Sequence, residues 1–539
     1  RADVLCAGGG IVGMMAAIRA AELGAKVVVV EKSNTVHSGN GGAGNDHFLC
    51  YIPEVHGSDL DAFIQAAIME AQLAEHFREF SKPRLRKFLT TTYDVMKLWD
   101  GWGIPMKYRG GYEFAGHAFP GRTLSHLKYE GKRQKIVLTD QARKRGVNIV
   151  NRCMIIDLFS DGRIAGALGI DTRQGNLIVF EAKTVILGTG SVNRLYPSPT
   201  PGWFANRTWA TSITGDGRVM AYHTGAELAD VEMPRLHVGP KYFVRSGQAT
   251  WIGVYRDPEG KPVGPFVTMP DRQYGDITPE VNKGIFDEYA KAGKGPVYMD
   301  GGGMSDEDYE YQLHWFSHEG LDALVNHMKE EGIDHRKKPV EFMTYVRGIS
   351  GKICVNDDGE TSVKGLYAAG DEVGLGISHA AAFGWLAGEN AARKAKHTDF
   401  AGINNLSEIV GKKKGILGEI SRREAGADYK EINFALQQIM FDYAWTMRSE
   451  KLLEAGLSHL RRLRHKALDT AIARNAHELM RCIEVFNLID LGELVFITAN
   501  ERKETRARHI RSDYPLTNPM LNKLVVVKQV DGKPVTEWR

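Results

Sequence analysis

The sequence of 539 residues has few cysteines, no long apolar run and almost no net charge. The five cysteines are widely separated, which excludes a disulfide framework and an iron–sulfur or metal site made by neighbouring cysteines. No apolar stretch approaches the roughly 20 residues of a membrane-spanning helix. With 69 basic and 66 acidic residues, the net charge of +3 gives no reason to expect nucleic acid or an anionic membrane as a partner. We therefore expect a cytoplasmic protein without membrane insertion.

Motifs of two large enzyme classes are also missing. The chain has no G-x-S-x-G nucleophile elbow and no P-loop lysine motif, so neither serine hydrolysis nor phosphoryl transfer is indicated. Glycine is abundant, with 59 residues, and many of these glycines stand in short clusters. A chain of this length corresponds to about three domains and can bury a large cofactor.

The first glycine cluster lies close to the start of the chain. An apolar strand precedes G-G-G-I-V-G at 8–13, and a helix and a second strand follow, the strand ending at Glu31. This is the G-x-G-x-x-G pattern of dinucleotide-binding folds in its proper context. Gly8 makes the tight turn, Gly10 lets backbone amides approach a pyrophosphate, and Gly13 lets helix and strand pack closely. The helix N-terminus stabilises phosphates, and Glu31 can bind ribose hydroxyls.

Later segments indicate that the dinucleotide is FAD. A glycine-rich loop, S-G-N-G-G-A-G at 38–44, directly follows the ribose-binding acid. Strands and glycine turns then recur along the chain. They are predicted at 155–159, 164–170, 177–181, 184–190 and 365–371, with a helix at about 380–396 after the last of them.

In this order the motifs resemble those of the flavoprotein subunits of succinate dehydrogenase, fumarate reductase and adenylylsulfate reductase. The resemblance includes T-G-D-G at 214–217, G-A-x-L-x-D-x-E at 225–232 and E-T-R-x-x-H-x-R-x-D-Y-P at 504–515. It extends essentially from end to end. The details of the flavin loop and of the C-terminal third are most similar to the alpha subunit of adenylylsulfate reductases.

The resemblance implies an α/β fold with three parts. A doubly wound, Rossmann-like FAD-binding domain is expected at 1–234 and 341–400, with an inserted α+β capping domain at 235–340. A C-terminal helical domain is expected at 401–539, and its last 25 or so residues are predicted to form an extended tail.

The resemblance also implies one FAD bound without a covalent link. Members that attach FAD covalently place a histidine directly after the serine of the flavin loop, whereas Gly39 follows Ser38 here. His37, before the serine, is interpreted as a loop residue. The residues expected to bind FAD are Gly8, Gly10, Gly13, Glu31, Lys32, Ser38, Gly39, Asn40, Gly41, Gly42, Gly188, Thr189, Gly190, Asp216, Gly370, Asp371 and Ser378.

Two arginines of the dicarboxylate-reducing members are missing. Where those members have H-G-A-N-R, this chain has His379 followed by three alanines and Phe383. Where they carry R-D-V-V at the start of a cap helix, this chain reads G-D-I-T from Gly275. The resemblance therefore disfavours succinate or fumarate chemistry. Adenylylsulfate reductases also use an arginine near the position of Gly275. Its charge would have to come from Arg272, three residues earlier, from Arg347 or from His237.

Four residues are predicted to be catalytic, each with a packing or surface role as the alternative. His379 begins the helix after the glycine-rich flavin turn, and His237 ends E-M-P-R-L-H, where family members contact substrate. Arg347 lies where the chain re-enters the flavin site, and Arg272 lies in the cap. Positive charge at these places would stabilise a substrate anion.

His314 and His318 are four residues apart on a predicted helix, a spacing that permits metal binding. No third ligand lies at a suitable spacing, and Trp315 and Phe316 stand between the two histidines. We therefore predict a packed helix and no metal site.

The resemblance implies an FAD-dependent oxidoreductase subunit similar to adenylylsulfate reductase alpha. Such a subunit exchanges electrons between a small-molecule substrate and a ferredoxin-like iron–sulfur subunit within a hetero-oligomer. The iron–sulfur clusters belong to that partner, because the cysteines here form no cluster motif. Two alternatives remain: a fumarate-reductase-like enoate reductase for an unsaturated acid or acyl thioester, and an electron-transfer flavoprotein subunit with no substrate of its own.

Overall fold

The computed structural model describes residues 1–68, 81–116, 123–197, 210–241, 250–264, 269–274, 285–374 and 376–539. The first strands in chain order are β1 (Ala2–Ala7), β2 (Val27–Glu31), β3 (His47–Leu49), β4 (His126–Lys128), β5 (Asn148–Asn151), β6 (Cys153–Ser160), β7 (Ile164–Asp171), β8 (Leu177–Leu187), β9 (Leu228–Ala229) and β10 (Pro234–Pro240). The later strands are β11 (Val254–Arg256), β12 (Val297–Asp300), β13 (Val340–Ile349), β14 (Lys352–Ile353), β15 (Leu366–Ala368), β16 (Met447–Arg448), β17 (Ile510–Arg511), β18 (Val525–Val530) and β19 (Lys533–Trp538). The α-helices are Ile11–Glu22, Pro53–His56, Leu60–Ile68, Lys82–Trp102, Gln134–Lys144, Asp216–His223, Ile285–Lys291, Asp306–His318, Asp322–Glu330, Ile377–Lys396, Leu406–Arg422, Tyr429–Ala444, Glu450–Thr470 and Ala476–Glu501.

A seven-stranded sheet forms the centre of the molecule, in the order β5-β2-β1-β8-β7-β6 with β15 as the seventh strand beside β8. β5, β2, β1 and β8 are parallel. The apolar runs of β1, β2 and the second half of β8 are typical of strands buried on both faces. β8 is long enough to change partner along one edge. Its first half pairs antiparallel with β7, and its second half pairs parallel with β15. The carboxyl ends of β1, β2, β8 and β15 therefore meet at one edge of the sheet, which confirms the predicted doubly wound fold.

Two helices pack on this sheet at an unusually close distance. A Cβ on Gly384 or Gly388 in helix Ile377–Lys396 would lie 2.9 or 2.3 Å from the carbonyl oxygen of Val12 or Ala16 in the first helix. Glycine at these positions lets the two backbones touch. The first and second segments of the FAD-binding domain are joined in this way.

The inserted segment forms a second, antiparallel sheet in the order β10-β13-β12-β11. Its core is aromatic: Trp251 contacts Phe316 and Phe342, with ring centroids 5.0 and 5.2 Å apart. We call helix Asp306–His318, which supplies Phe316, the cap helix. Residues 341–349 of β13 lie in this sheet, so the sheet continues past residue 340, where we predicted the cap to end.

The C-terminal region begins as predicted, with four successive helices, but its end differs from the extended tail we expected. β18 and β19 form a hairpin, and β18 also pairs with β9 of the FAD-binding domain. The turn is Asp531-Gly532, with φ of 49° and 74°, which matches the type I′ turn that joins tight hairpins. Buried Val525, Val526 and Val527 make the hairpin part of the core. The prediction of an extended tail was wrong. The hairpin is stabilised by pairing with β9, which is far away in the chain, and a local sequence pattern does not reveal such a contact.

Within the described ranges, no helix combines the length and the apolar character that crossing a lipid bilayer requires.

Candidate active site

A deep cavity opens where β1, β2, β8 and β15 end. Many of the residues predicted to bind FAD line it: Gly8, Gly10, Glu31, Lys32, Gly39, Asn40, Gly41, Gly188, Thr189, Gly190, Asp216, Asp371 and Ser378. The other four, Gly13, Ser38, Gly42 and Gly370, do not line it, although each is next in the chain to a residue that does. The structure thus brings together residues from both ends of the FAD-binding domain.

The glycines of the first turn form a cradle without side chains. Gly8 has a φ of +100°, and a Cβ there would lie 2.4 Å from the carbonyl oxygen of Gly188. A Cβ on Gly13 would lie 1.9 Å from the carbonyl oxygen of Gly8. The N-terminus of helix Ile11–Glu22 is therefore open to the cavity, and its amides can donate to a pyrophosphate. This geometry fits FAD.

Glu31 lies at the end of β2, where a ribose would be bound. Its two carboxylate oxygens accept hydrogen bonds from the backbone N–H groups of Gly9 and Ser33, at 2.7 and 2.8 Å. These bonds fix the carboxylate at the cavity wall. Each oxygen can accept a further bond, so the side chain remains able to bind ribose hydroxyls.

Lys32 contacts other protein charges beside the cavity. Its ammonium lies 2.7 Å from Asp216 and 2.9 Å from Glu484, which is fully buried in the last long helix. Glu484 also pairs with Arg194 at 2.7 Å and with Arg481 at 2.8 Å. Burial opposes the charge of Glu484, but these cations lower its pKa to about 2. This ionic network ties the FAD-binding domain to the helical domain.

The flavin loop bridges two strand ends. The Asn40 amide donates to Ser191 and to Asp371, both at 3.0 Å, and the Ser38 hydroxyl donates to the carbonyl oxygen of Gly9 at 3.3 Å. Gly39 has a φ of +84°, and a Cβ there would lie 3.4 Å from Gly10 Cα. A histidine at this position would be strained, which agrees with the predicted noncovalent FAD.

Arg218 and Glu372 hold the glycine turn after β8 in place. Arg218 is buried and donates to the carbonyl oxygens of Gly190 and Gly351, at 2.7 and 2.6 Å. Glu372 accepts from the Thr189 backbone at 3.2 Å. Burial raises the pKa of Glu372 to about 7, although Arg218 and Thr189 act in the opposite direction.

A cluster of ionisable side chains that sequence reasoning missed also borders the cavity. His47 and His126 line the cavity there, with ring centroids 5.8 Å apart. His47 Nδ1 lies 2.6 Å from Asp46 and 3.4 Å from Glu319. Lys128 lies 2.8 Å from the second oxygen of Asp46. In the sequence, N-D-H at 45–47 directly after the glycine loop was the available signal.

The charges in this cluster follow from its contacts. Burial lowers the pKa of His47, but hydrogen bonds to Asp46 and Glu319 outweigh burial and raise it to about 10. Burial and the charge of Asp46 raise the pKa of Glu319 to about 8. Burial also opposes the charge of Asp46, yet Lys128 and His47 keep its pKa well below the ordinary value. At neutral pH, His47 is therefore a cation in the cavity wall.

Three further cationic residues line the same cavity, from separate parts of the chain. They are Arg235 in β10, Lys352 in β14 and Arg508. The acidic residues of the lining are Glu31, Asp216, Asp230 and Asp371, so with His47 and Lys32 the cavity has five cationic side chains against four acids. A small excess of positive charge favours anionic ligands.

Of the residues predicted to be catalytic, His379 and Arg272 lie outside the cavity lining. The His379 ring is 2% exposed and packs against Phe383 and Phe88, with centroids 4.5 and 5.9 Å away. It supports the turn at Gly374, where a Cβ would lie 2.5 Å from His379 Nε2. The Arg272 guanidinium lies on the cap, 3.1 Å from Glu307. Catalytic roles for these two residues remain predictions.

His237 and Arg347 lie on adjacent cap strands, β10 and β13. Residues 233–236, where β10 begins, line the cavity, and His237 is the next residue of that strand. The side chains of His237 and Arg347, and all of Gly275, fall outside the described part of the chain, so their predicted roles are untested.

Comparisons with known proteins agree with this architecture. Residues 3–384 match the family model described as FAD binding domain, and residues 434–535 match the one described as fumarate reductase flavoprotein C-term. One subunit of the CoM/CoB fumarate reductase of Methanothermobacter marburgensis is 25% identical over 577 aligned positions, covering 98% of this chain and 97% of that protein. An uncharacterised FAD-dependent oxidoreductase of Methanocaldococcus jannaschii is 26% identical, covering 78% of this chain and 76% of that protein.

Two solved structures have the same fold along the whole chain. Adenylylsulfate reductase from Archaeoglobus fulgidus superimposes with a TM-score of 0.84 at 21% identity, covering 100% of this chain and 95% of that one. Quinol fumarate reductase from Escherichia coli superimposes with a TM-score of 0.83 at 20% identity, covering 100% and 96%.

Proposed function

The chain belongs to the FAD-dependent oxidoreductase family of these flavoproteins, and from this premise we propose that it is the flavin-bearing component of a reductase for an anionic substrate. The observation that carries the proposal is that four cationic side chains, His47, Arg235, Lys352 and Arg508, line the same cavity as the glycine cradle. When bound, FAD supplies the exchange of two electrons with a substrate and of single electrons with an iron–sulfur partner.

The residues of the cradle would hold FAD. The N-terminal amides after Gly10 would bind its phosphates, and Glu31 would bind a ribose. Asn40 and Ser378 line the cavity farther along and would position the rest of the cofactor. The cap sheet, through β10, would cover the substrate and exclude water.

His47 would supply the charge that the missing arginine near Gly275 supplies in related enzymes. Its imidazolium is held in one orientation by Asp46 and Glu319, so it needs no rearrangement to face a developing anion. A fixed cationic donor of this kind stabilises negative charge by several kcal/mol in a buried site.

Among anionic substrates we propose adenylylsulfate or a chemically similar acyl or sulfuryl nucleotide. Phe383 replaces the arginine that dicarboxylate-reducing members carry after the flavin turn, and its ring stacks on Phe88 with centroids 5.5 Å apart and planes at 5°. An aromatic stack offers no bidentate donor for a carboxylate. A fumarate-like enoate reductase is the second candidate, because the full-length similarity to a subunit of the CoM/CoB fumarate reductase supports it.

The experiment is to reduce the flavin and follow its reoxidation under anaerobic conditions by adenylylsulfate, fumarate and a set of enoyl thioesters. We expect adenylylsulfate to react fastest. A faster reaction with fumarate or with an enoyl thioester would reject the proposed substrate class in favour of the second candidate. No reaction with any of them would favour an electron-transfer protein without its own substrate.

The same assay tests His47. Replacing it by an uncharged side chain of similar size, His47→Gln, is expected to slow reoxidation by about 100-fold, the typical effect of removing one fixed donor. His465→Gln, at an exposed position of helix Glu450–Thr470, is the matched control and should react like the wild type. An unchanged rate for His47→Gln would show that the charge comes from elsewhere.

We also propose a ferredoxin-like iron–sulfur partner in a hetero-oligomer. The support is that a relative aligned along nearly the whole chain is one subunit of the CoM/CoB fumarate reductase. The five cysteines here are separated and form no cluster motif, so an iron–sulfur cluster would belong to the partner. Purification from the native source should yield a complex that contains iron and a second polypeptide. An iron-free chain that is isolated alone and is fully active with NAD(P)H would contradict this proposal.

A further inference from the structure

A side-chain cluster outside the cavity joins the cap to the FAD-binding domain. His314 and His318 lie one turn apart on the cap helix, and Glu130 lies on the segment between β4 and helix Gln134–Lys144. One ligand atom from each of the three residues lies within 4.8 Å of the others. His314 Nε2 and Glu130 Oε1 are 3.6 Å apart. Glu130 is far from the two histidines in the chain, so sequence spacing alone gives no sign of it as a third ligand.

These groups face one another without the hydrogen bonds that would explain their positions. A distance of 3.6 Å is too long for a hydrogen bond between His314 and Glu130. His314 Nε2 and His318 Nδ1 are both buried, and neither has a hydrogen-bond partner among the described residues. Buried polar atoms of this kind usually have a partner, and a cation would satisfy all three residues together.

We propose that Glu130, His314 and His318 bind a zinc-like divalent cation. Two histidines at i and i+4 on one helix face, with a carboxylate from another segment, form a known zinc ligand set. Zinc bonds of about 2.0–2.1 Å in a tetrahedral site place two ligand atoms roughly 3.3 Å apart. The His314–Glu130 pair, at 3.6 Å, is already close to this separation. All three ligand atoms lie within 4.8 Å of one another, so side-chain movement of up to about 1.5 Å would complete the site.

A second group with suitable atoms, Asp46, His47 and Glu319, is a weaker candidate. The Lys128 ammonium already lies 2.8 Å from Asp46, and the Thr250 hydroxyl donates to the same carboxylate oxygen at 2.6 Å. A protein cation therefore occupies the place where a metal would bind.

A metal at this position would connect the cap helix to the FAD-binding domain. The N–H of Gly131, next to Glu130, donates to the Asn45 carbonyl at 3.1 Å, and the Gln134 amide donates to the Gly41 carbonyl at 2.9 Å. At the end of the cap helix, a Cβ on Gly320 would lie 2.5 Å from Ala43. The metal would thus fasten the cap helix to the segment that holds the flavin loop at 41–45.

The test is zinc binding to the FAD-loaded, tag-free protein after removal of metals with a chelator. We expect one zinc ion per chain by equilibrium dialysis and calorimetry. Glu130→Gln and His318→Gln should each weaken binding by at least about 10-fold, since even the loss of an indirect metal partner has an effect of that size. His327→Ala, on the exposed face of helix Asp322–Glu330, is the matched control and should bind zinc like the wild type.

A second readout tests the role as a fastener. Zinc should slow amide hydrogen exchange in the cap helix and in residues 41–45 of the wild type, and should leave exchange in Glu130→Gln unchanged. Absence of zinc binding by the wild type, or wild-type affinity in Glu130→Gln or His318→Gln, would overturn the proposal. The flavin content of each variant, measured in the same samples, verifies that it has folded.

Discussion

Gly13 illustrates how a single missing side chain sets the distance between a strand and a helix. Its role and those of Gly8, Gly10 and Glu31 could be predicted from sequence, because each role depends on residues nearby in the chain. His47 could not be found in this way. Its charge depends on Glu319, which is distant in the chain and lies beside His47 only in the folded structure.

Gly13→Ala tests the cradle at this scale. The new methyl group would lie 1.9 Å from the Gly8 carbonyl oxygen, so the turn must open. Overpacking of this kind costs about 1–3 kcal/mol, and we expect FAD to bind roughly 10- to 100-fold more weakly. Gly415→Ala is the control, because Gly415 is also helical but has open space around its Cβ position. Fluorescence titration with FAD measures both, and equal affinities would contradict the cradle.

Glu484 makes the stability of the folded protein depend on pH, and the direction of that dependence follows from its lowered pKa. Its folded pKa of about 2 lies below the ordinary 4.5, so its contribution to stability is present above pH 4.5 and is lost as the pH falls toward 2. Glu484→Gln leaves Lys32 and Arg194 without this carboxylate, and we expect a loss of about 3 kcal/mol in the free energy of unfolding at pH 7.

Urea unfolding at pH 7 and at pH 3 measures this effect. The difference between wild type and Glu484→Gln should shrink at pH 3, whereas the exposed control Glu454→Gln should stay within about 0.5 kcal/mol of the wild type at both values. A difference that does not change with pH would mean that packing, not charge, is what Glu484 contributes.

At the scale of helices and strands, local patterns predicted the parallel strands β1, β2, β8 and β15 and some of the helices, among them Ile11–Glu22 and Ile377–Lys396. Apolar runs bounded by glycine gave β1, β2 and β8, because such strands are buried on both faces wherever they pair. The predicted break between residues 181 and 184 does not exist, since β8 continues through it and changes partner from β7 to β15. Pairing of β8 with β15 joins residues from distant parts of the chain, and no local pattern encodes it.

The C-terminal hairpin offers a test of its own. Val527 in β18 is fully buried, whereas Val535 in β19 is 43% exposed. We expect Val527→Ala to lower the free energy of unfolding by about 1–3 kcal/mol through loss of packing. Val535→Ala should change it by less than about 0.5 kcal/mol. Thermal unfolding of the two variants compares them directly, and equal, negligible effects would mean that the tail does not pack as a hairpin.

At the scale of the whole molecule, the cavity exists because three separately folded regions meet around one sheet edge. The FAD-binding domain supplies the glycine cradle, the first residues of β10 line the same cavity, and Glu484 of the helical domain pairs with Lys32 beside it. The order of the motifs along the chain resembles that of a known family, and this resemblance predicted that the three regions occur together. The contacts between regions, such as Glu319 with His47, required the structure because they join side chains that no sequence spacing relates.

The binding of one noncovalent FAD in this cavity is the central claim, and acid precipitation of the purified protein tests it most directly. Gly39 stands where covalent members carry their histidine, and its φ of +84° disfavours any side chain there, so the precipitate should be colourless. All of the flavin, one FAD per chain, should appear in the supernatant. A yellow pellet that retains flavin after washing, or a chain that takes up no FAD, would contradict the account.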